Sequence, residues 1–222
     1  MSNLAMSFAE SQQAFAFPCA LTEKYRPKSL ADFVGLERQR TILTNFAVRP
    51  FPTAFLFTGA SGTGKTAMGL ALAAAIPAEL HHIPSQEANL TNIDRVRMTC
   101  QYVPMAGFKM HLVLVDEADQ MSPAAQVSLL SKLDATNFPP ATVYVFTSNS
   151  TDRLEPRFLS RCKVLEFSTY GLARGATELL ERVWTQEKGQ SPEMPNCARI
   201  VKESANNVRE ALNRLETEML AY

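Results

Sequence analysis

Residues 59–66 constrain this chain more than any other part of its sequence. They are Gly-Ala-Ser-Gly-Thr-Gly-Lys-Thr, which matches the phosphate-loop pattern G-x-x-x-x-G-K-[ST]. An apolar run, 54–58, precedes the motif, and a stretch rich in alanine, leucine and methionine, 67–76, follows it. A strand that leads through such a loop into a helix directs backbone N–H groups and the helix N-terminus toward a polyphosphate. The sequence therefore predicts a nucleotide site here rather than a chance glycine-rich turn.

The motif assigns a role to its last two side chains. Lys65 is expected to place a point charge at the β- and γ-phosphates, and Thr66 to offer its hydroxyl to Mg²⁺. The glycines permit the tight turn and the close approach of the backbone to the ligand. The residues expected to contact the nucleotide are Gly59, Ala60, Ser61, Gly62, Thr63, Gly64, Lys65 and Thr66.

Polar side chains also follow two other predicted strands. Residues 112–115 are four apolar residues that run directly into Asp116 and Glu117, and Asn149 follows a β-branched and aromatic strand. An aspartate at a strand end is suited to hold Mg²⁺ beside the phosphate loop. Glu117 is then placed to orient or deprotonate the water that attacks the γ-phosphate. Asn149 is a candidate to hold that water or the γ-phosphate, although asparagine is also typical of turns.

The order of predicted strands and helices indicates an α/β fold with a parallel sheet and helices on both faces. No strand pattern remains after residue 168, and two helical stretches, 171–190 and 196–222, fill the rest of the chain. We expect an N-terminal tail over 1–20, a phosphate-loop ATPase domain over 21–168 and a small all-α lid over 169–222. The tail is either a frayed terminus or one short helix.

Composition limits the functional classes. The 22 basic and 22 acidic residues cancel, so net charge does not draw the chain to DNA or to an anionic membrane, and any such contact must use a local patch. No apolar run reaches spanning length, and no basic segment precedes an apolar core at the N-terminus. The four cysteines include no C-x-x-C pair. We expect no structural zinc site, reduced thiols and a cytoplasmic protein.

Two arginines are further candidates. Arg161, in Ser-Arg-Cys just before the last predicted strand, is placed to point toward a neighbouring molecule's nucleotide, or it is an ordinary solvated surface arginine. Arg209 lies in the helical lid, where it is placed to reach back to the γ-phosphate or to form an i,i+4 pair on the helix surface.

Taken together, these segments resemble the clamp-loader ATPases of the AAA+ class, the kind found in bacterial DNA polymerase III gamma/tau and in replication factor C. The resemblance extends from about residue 21 to residue 220. The matching segments are 23–35, 93–97, 116–119, 125–133, 147–149, 160–162, 187–189 and 207–216. Gamma/tau proteins carry a cysteine zinc module before the second motif strand, and this chain has none, so it is more similar to the zinc-free loaders. Clamp loaders continue into a helical collar, which we expect this chain to lack.

The resemblance implies an AAA+ ATPase that binds ATP and Mg²⁺ and loads a sliding clamp on primed DNA during replication. It implies that Arg161 completes the active site of an adjacent subunit, and that Arg209 reports nucleotide state through the lid. In this family the opening segment, matched here by residues 23–35, lies near the adenine of the nucleotide. The resemblance therefore implies that Tyr25, Arg26 and Pro27 contact the nucleotide. Other AAA+ subunits, in a homo- or hetero-oligomer, are the expected partners, together with a sliding clamp.

Primer-template DNA is also an expected partner, and its candidate contacts are Arg95, Arg97 and Lys109. Phosphate contacts of this kind are salt-dependent and independent of base sequence. A solvated helix face is the alternative explanation of the basic pair. The alternative function is that of a regulatory AAA+ ATPase, such as a helicase loader or a transposition regulator. Such a protein responds to ATP without opening a clamp.

Overall fold

A single parallel sheet organises the molecule. The computed structural model describes residues 19–105, 107–134, 136–189 and 194–221, so residues 1–18 of the predicted tail lie outside the described residues. Within these ranges five parallel strands form a sheet in the order β2-β3-β4-β1-β5. The strands are β1 (Thr53–Gly59), β2 (Ala78–Ile83), β3 (Met110–Val115), β4 (Thr142–Ser148) and β5 (Lys163–Phe167).

Helices follow the strands in alternation through the first three quarters of the chain and then continue alone. This order confirms the predicted α/β fold with a helical C-terminal region. In the described ranges, no helix combines the length and the apolarity needed to cross a membrane. The helices are α1 (Leu21–Lys24), α2 (Glu37–Val48), α3 (Lys65–Ala75), α4 (Leu90–Thr99), α5 (Pro123–Lys132), α6 (Pro156–Leu159), α7 (Ala173–Lys188), α8 (Cys197–Glu203) and α9 (Val208–Ala221).

The central strands are apolar because both faces of the sheet are covered. Every residue of β3 and β4 is buried, as expected for parallel strands with helices on each side. On one face Phe55 and Phe57 pack in a cluster that includes Leu43 of α2 and Leu72 of α3. On the other face Leu56 belongs to a cluster with residues of α4 and α5. These two apolar layers hold the sheet rigid beneath the loops at its edge.

The strand order explains why distant motifs meet. β4 lies between β3 and β1, with Val115 beside Phe146 and Thr58 beside Ser148. Because parallel strands end at the same edge, the segments that follow β1, β3 and β4 converge there. They are the phosphate loop, the Asp116-Glu117 pair and Asn149.

The last three helices pack around a core of their own. Trp184 of α7 is fully buried there, with Val201 of α8 and Leu215 of α9. Leu21 is also buried in this core, although the sequence assigned it to the ATPase domain. The segment before the phosphate loop is therefore anchored to the lid helices as well as to the sheet.

The prediction of one helical stretch over 196–222 is wrong. The chain breaks between α8 and α9, where Ala205 and Asn206 have φ angles of 49° and 59°. The Asn206 N–H donates to the Val201 carbonyl at 3.0 Å, which closes α8 in the manner of a Schellman turn. This break frees the N-terminus of α9, which faces the phosphate loop.

Candidate nucleotide site

A cleft of about 1070 Å³ opens between the carboxyl ends of the strands, the segment around residues 22–37 and the lid. Its size suits a nucleotide, since ligand clefts typically enclose about 300–1,000 Å³. Three predicted residues do not line the cleft but accept hydrogen bonds from residues that do. The carbonyls of Gly59 and Ala60 accept from Lys65, and the Asp116 carboxylate accepts from Thr66. The predicted residues that line the cleft are Tyr25, Arg26, Pro27, Ser61, Gly62, Thr63, Gly64, Lys65, Thr66, Glu117, Asn149 and Arg209.

The phosphate loop is shaped by its glycines and by Lys65. Gly62 and Gly64 have φ angles of 78° and 92°, a left-handed conformation that other residues adopt only with strain. Lys65 is 7% exposed, and its ammonium donates to the carbonyls of Gly59 (2.7 Å) and Ala60 (2.8 Å). It also donates to the Asn149 side-chain oxygen at 3.1 Å. Lys65 and Asn149, which follow two different strands, therefore meet at the edge of the sheet.

Burial lowers the pKa of the Lys65 ammonium below its usual range. The positive charge of Arg209 acts in the same direction, whereas Asp119, Asp116 and Glu117 oppose it. A buried ammonium with few solvent contacts interacts strongly with any anion that enters the cleft. The residue that the motif assigns to phosphate binding thus lies in an environment that favours this role.

The Asp116 carboxylate, which directly follows β3, makes three hydrogen bonds. Its Oδ1 accepts from the hydroxyls of Thr66 (2.8 Å) and Thr147 (2.9 Å), and its Oδ2 lies 2.6 Å from His82 Nε2. The carboxylate and the Thr66 hydroxyl are oxygen ligands of the kind that Mg²⁺ prefers. This donor set fits the predicted metal pair of Thr66 and Asp116.

Glu117 adopts a strained backbone beside this pair. Its φ of 51° and ψ of 53° are left-handed, which is uncommon for a residue with a side chain and concentrates at functional sites. Its N–H donates to the Thr147 hydroxyl at 3.0 Å. The exposed side chain lines the cleft, so its carboxylate is available to a water molecule near the phosphates.

The lid reaches the phosphate loop through α9. Asn207 precedes this helix, and its Nδ2 donates to the Ser61 carbonyl at 2.8 Å. Its Oδ1 accepts from the Glu210 N–H at 3.2 Å, which caps the first turn of α9. Arg209 follows two residues later and lines the same cleft. The structure thus brings Arg209 to the site.

The opposite wall of the cleft is tied to the lid as well. The Tyr25 hydroxyl and the Lys24 ammonium both donate to the Glu187 carboxylate near the end of α7. Burial and this hydrogen bond raise the pKa of Tyr25 to about 12. The hydrogen bonds from Lys24 and Tyr25 in turn lower the pKa of Glu187. Tyr25, Arg26 and Pro27 therefore stand between the phosphate loop and the lid.

Arg161 lies outside the cleft. Its Nε donates to the Asp134 carboxylate at 2.8 Å and its NH1 to the Arg157 carbonyl at 2.9 Å. The side chain is 30% exposed. This position leaves Arg161 unable to complete the cleft of its own chain and is compatible with a role toward a neighbour.

The three candidate DNA contacts do not share one surface. Arg95 and Arg97 are two positions apart on α4, which turns their side chains to different faces of the helix. Arg95 is exposed, while Arg97 is partly buried, with an Nε that has no hydrogen-bond partner among the described residues. Lys109 precedes β3, at the edge of the sheet away from the nucleotide cleft.

Sequence reasoning missed four residues that the fold brings to the site. Thr147 and His82 hold Asp116, and Asn207 holds the phosphate loop. Asp119 accepts from the Asn149 N–H at 3.3 Å and so orients that loop. His82 carried a weak signal in the sequence, because residues 79–83 suggest a short strand and other predicted strands end in candidate site residues.

Comparisons with known proteins agree with this geometry. The chain is similar to the replication factor C small subunit of Thermoplasma acidophilum, with 28% identity over 88% of this chain and 62% of the relative. It is also similar to the replication factor C small subunit 1 of Pyrobaculum aerophilum, with 30% identity over 87% and 60%. The chain thus spans about three fifths of the length of these relatives.

Among solved structures, the Thermotoga maritima RuvB Holliday junction branch migration motor shares the fold. Its TM-score is 0.71 at 19% identity, over 86% of this chain and 64% of that one. A family model described as the ATPase family associated with various cellular activities matches residues 55–170. This match contains the phosphate loop, Asp116, Glu117, Asn149 and Arg161. The chain therefore belongs to the AAA family of ATPases.

Proposed function

We propose that this chain is an ATP-hydrolysing subunit of clamp-loader type, which couples ATP binding and hydrolysis to the loading of a sliding clamp on primed DNA. One observation carries the ATPase part of the proposal. Lys65, Thr66, Glu117 and Asn149 come from three separate strand ends and face one cleft, which Arg209 of the lid also lines. The clamp-loading part is supported by the relatives, which are named replication factor C small subunits.

The proposed mechanism divides the work among the residues of the cleft. The loop amides and Lys65 hold the phosphates, and Arg209 senses the γ-phosphate from the lid. Mg²⁺, held by Thr66 and Asp116, would neutralise phosphate charge. Glu117 takes a proton from the attacking water. At the same time the water oxygen bonds to the γ-phosphorus, and the bond from that phosphorus to the oxygen that leaves with ADP breaks. Asn149 orients that water.

The partners follow from the same proposal. Arg161 faces away from its own cleft, so we propose that it serves an adjacent AAA+ subunit in an oligomer. A sliding clamp and primer-template DNA are the proposed clients. The proposed domain division, with the ATPase domain ending near residue 168, places the nucleotide between the sheet and the lid. Closing and opening of that lid then transmit nucleotide state to the neighbouring subunits.

ATPase measurements with the Glu117→Gln variant test the catalytic part. The substitution keeps the side-chain shape but removes the base, and general-base catalysis contributes about 10²–10⁴ in rate. We expect kcat to fall by that factor while ATP affinity is retained. Glu203→Gln, an exposed acid on α8, is the matched control and should keep the wild-type rate. A Glu117→Gln protein that hydrolyses ATP at full rate contradicts the assignment.

A second arm tests the client. We expect a sliding clamp together with primed DNA to bind the protein and to stimulate its ATPase activity. Each component alone should stimulate it less. If a replicative helicase stimulates the activity instead and the clamp neither binds nor stimulates, the regulatory alternative replaces the clamp-loader proposal. The Glu117→Gln result stands in either case.

A further inference from the structure

Four potential metal ligands meet on the outer side of the sheet, away from the nucleotide cleft. They are Glu79 and His81 of β2, His111 of β3 and Cys100 at the end of α4. We call them the β2–β3 cluster. Glu79 lies directly beside His111 in the parallel register. His81 stands two residues further along β2 and so projects to the same face as Glu79.

The distances within the cluster match those of a tetrahedral site. His81 Nε2 lies 3.0 Å from His111 Nδ1, and Glu79 Oε2 lies 3.5 Å from the same nitrogen. The ligand atoms of His81, Cys100 and His111 all lie within 4.8 Å of one another. Ligands on a tetrahedral Zn²⁺ are about 3.3–3.6 Å apart, given bond lengths of about 2.0–2.3 Å. Small side-chain adjustments therefore suffice to bring His81, Cys100 and His111 onto one ion. Glu79, whose Oε2 contacts only His111 of the three, becomes the fourth ligand by turning its side chain toward them.

The surroundings of the cluster orient its ligands. His111 Nε2 lies 3.0 Å from the Tyr102 carbonyl, which can only accept. Nε2 therefore carries the proton, and Nδ1 presents its lone pair to the cluster. A ligating histidine with its other nitrogen on a backbone carbonyl is the common arrangement in metal sites. Glu79 Oε2 is held by the Met105 N–H at 2.9 Å.

Burial and charge also suit a dication. His111 and Cys100 are 1% and 0% exposed. A bound cation displaces the proton of the Cys100 thiol, since a coordinating thiol is deprotonated. The sulfur keeps the electron pair and bonds to the metal. One thiolate, one carboxylate and two neutral imidazoles then balance a charge of +2, which avoids an unpaired charge in the interior.

An access path is present. An open groove of about 820 Å³ is lined by Glu79, by His111 and by residues of α4. The cluster also lies apart from the proposed magnesium site. Asp116 and Thr66 lie beyond the carboxyl ends of β3 and β1. His82, which contacts Asp116, projects from the face of β2 opposite to that of His81.

We propose that the β2–β3 cluster binds one Zn²⁺ ion through two imidazoles, a thiolate and a carboxylate. Imidazole and thiolate donors in tetrahedral arrangement are characteristic of this ion. The ion joins β2, β3 and the end of α4, and thereby pins the edge strand and the following loop to the sheet. This proposal is independent of the ATPase proposal, because none of its ligands lines the nucleotide cleft.

Cobalt substitution tests the proposal. The reduced, metal-stripped protein is titrated with Co²⁺ alone, without nucleotide. We expect one Co²⁺ per chain, a sulfur-to-cobalt charge-transfer band and the intense visible bands of tetrahedral cobalt, all removed by added Zn²⁺. Zn²⁺ should also raise the thermal midpoint of the wild-type protein, because it binds the folded state. Cobalt bound at Asp116 has no sulfur ligand and gives no such charge-transfer band.

Variants assign the band to the cluster. Cys100→Ser should abolish the charge-transfer band, and His81→Gln, at a half-buried position, should weaken Co²⁺ binding by more than the roughly 10–100-fold typical of an outer-shell partner. Cys197→Ser, a buried cysteine of the lid, and His82→Ala are matched controls that should keep the band. The proposal is overturned if folded wild-type protein gives no sulfur–cobalt band. It is equally overturned if the band survives in Cys100→Ser, or if His81→Gln binds Co²⁺ as tightly as the wild type.

Discussion

At the residue scale, the Lys65 ammonium donates to three oxygen atoms of the protein itself, two loop carbonyls and the Asn149 amide. Phosphate oxygens carry more charge than these acceptors, so a bound nucleotide draws the ammonium toward itself. The site is thus pre-assembled around a cation that changes partners on binding. We propose that the same exchange frees Asn149 to hold the attacking water.

Lys65→Ala should lower ATP affinity by about 10- to 100-fold. A hydrogen bond to a charged group is worth about 1.5–3 kcal/mol, and 1.4 kcal/mol corresponds to a factor of ten. Equilibrium titration with ATP measures the effect, and circular dichroism checks the fold. Lys202→Ala, an exposed lysine of α8, is the control and should bind ATP normally. Unchanged ATP affinity in folded Lys65→Ala protein would rule out the assigned role.

Arg209→Ala should discriminate between nucleotides. Because the arginine approaches from the lid and is expected to contact the γ-phosphate, its loss should weaken ATP binding about tenfold and ADP binding by less than about twofold. Arg214→Ala, which removes an exposed i,i+4 partner of Glu210 on the same helix, should affect neither nucleotide. Equal losses for ATP and ADP point instead to a structural role of Arg209.

At the scale of elements, the N-terminus of α9 couples the lid to the phosphate loop. One side chain, Asn207, both caps this helix and donates to the Ser61 carbonyl. The same side chain packs tightly against Gly62 of the loop, since a Cβ there would lie 2.3 Å from Asn207 Oδ1. Any movement of α9 is therefore transmitted directly to the loop that holds the phosphates.

Two asparagine helix caps in the lid allow the effect of the lid on ATP binding to be tested separately from its effect on protein stability. Asn207→Ala removes a cap worth about 1 kcal/mol together with the Ser61 contact, so both the thermal midpoint and the ATP affinity should fall. Asn196→Ala removes the cap of α8, whose Oδ1 accepts from the Arg199 N–H at 2.9 Å, and should lower the thermal midpoint alone. Thermal unfolding and ATP titration of both variants check this. Equal ATP affinity of the two variants contradicts coupling through Asn207.

At the scale of the whole molecule, the proposed role of Arg161 requires a second subunit. The guanidinium is paired with Asp134, and Arg161 does not line the cleft of its own chain. An arginine supplied to a transferring phosphoryl group is worth about 10³–10⁵ in rate in GTPases. We expect low ATPase activity in a dilute monomer and a rise in specific activity with protein concentration or with added partner subunits.

Mixing two inactive variants tests the trans role. Arg161→Ala should bind ATP normally but fail to activate a neighbour, while Arg157→Ala, an exposed arginine of the same short helix, should behave as the wild type. A mixture of Arg161→Ala and Lys65→Ala contains one interface with an intact ATP site and an intact arginine. Partial recovery of ATPase activity is the expected result. No recovery in demonstrably mixed oligomers, or full activity in a monomer, contradicts the prediction.

The sequence alone determined the sheet and the principal members of the nucleotide site. Apolar runs predicted the buried strands, because parallel strands covered on both faces have no polar alternation. The phosphate loop and the Asp116-Glu117 pair were predictable because their chemistry depends on local spacing. The start of α5 has the same local origin, since the Ser122 side chain caps the helix and Pro123 is its first residue.

Only the tertiary structure decided which distant residues complete the sites. Thr147 and His82 reach Asp116, and Asn207 reaches Ser61, through strand order and lid packing that no local pattern encodes. The expectation of no zinc site rested on the absence of a C-x-x-C pair. Cys100 nevertheless lies beside His81 and His111, because β2 and β3 pair in parallel and α4 ends over them. Local spacing determines turns and caps, whereas contacts between separate elements depend on how those elements pack.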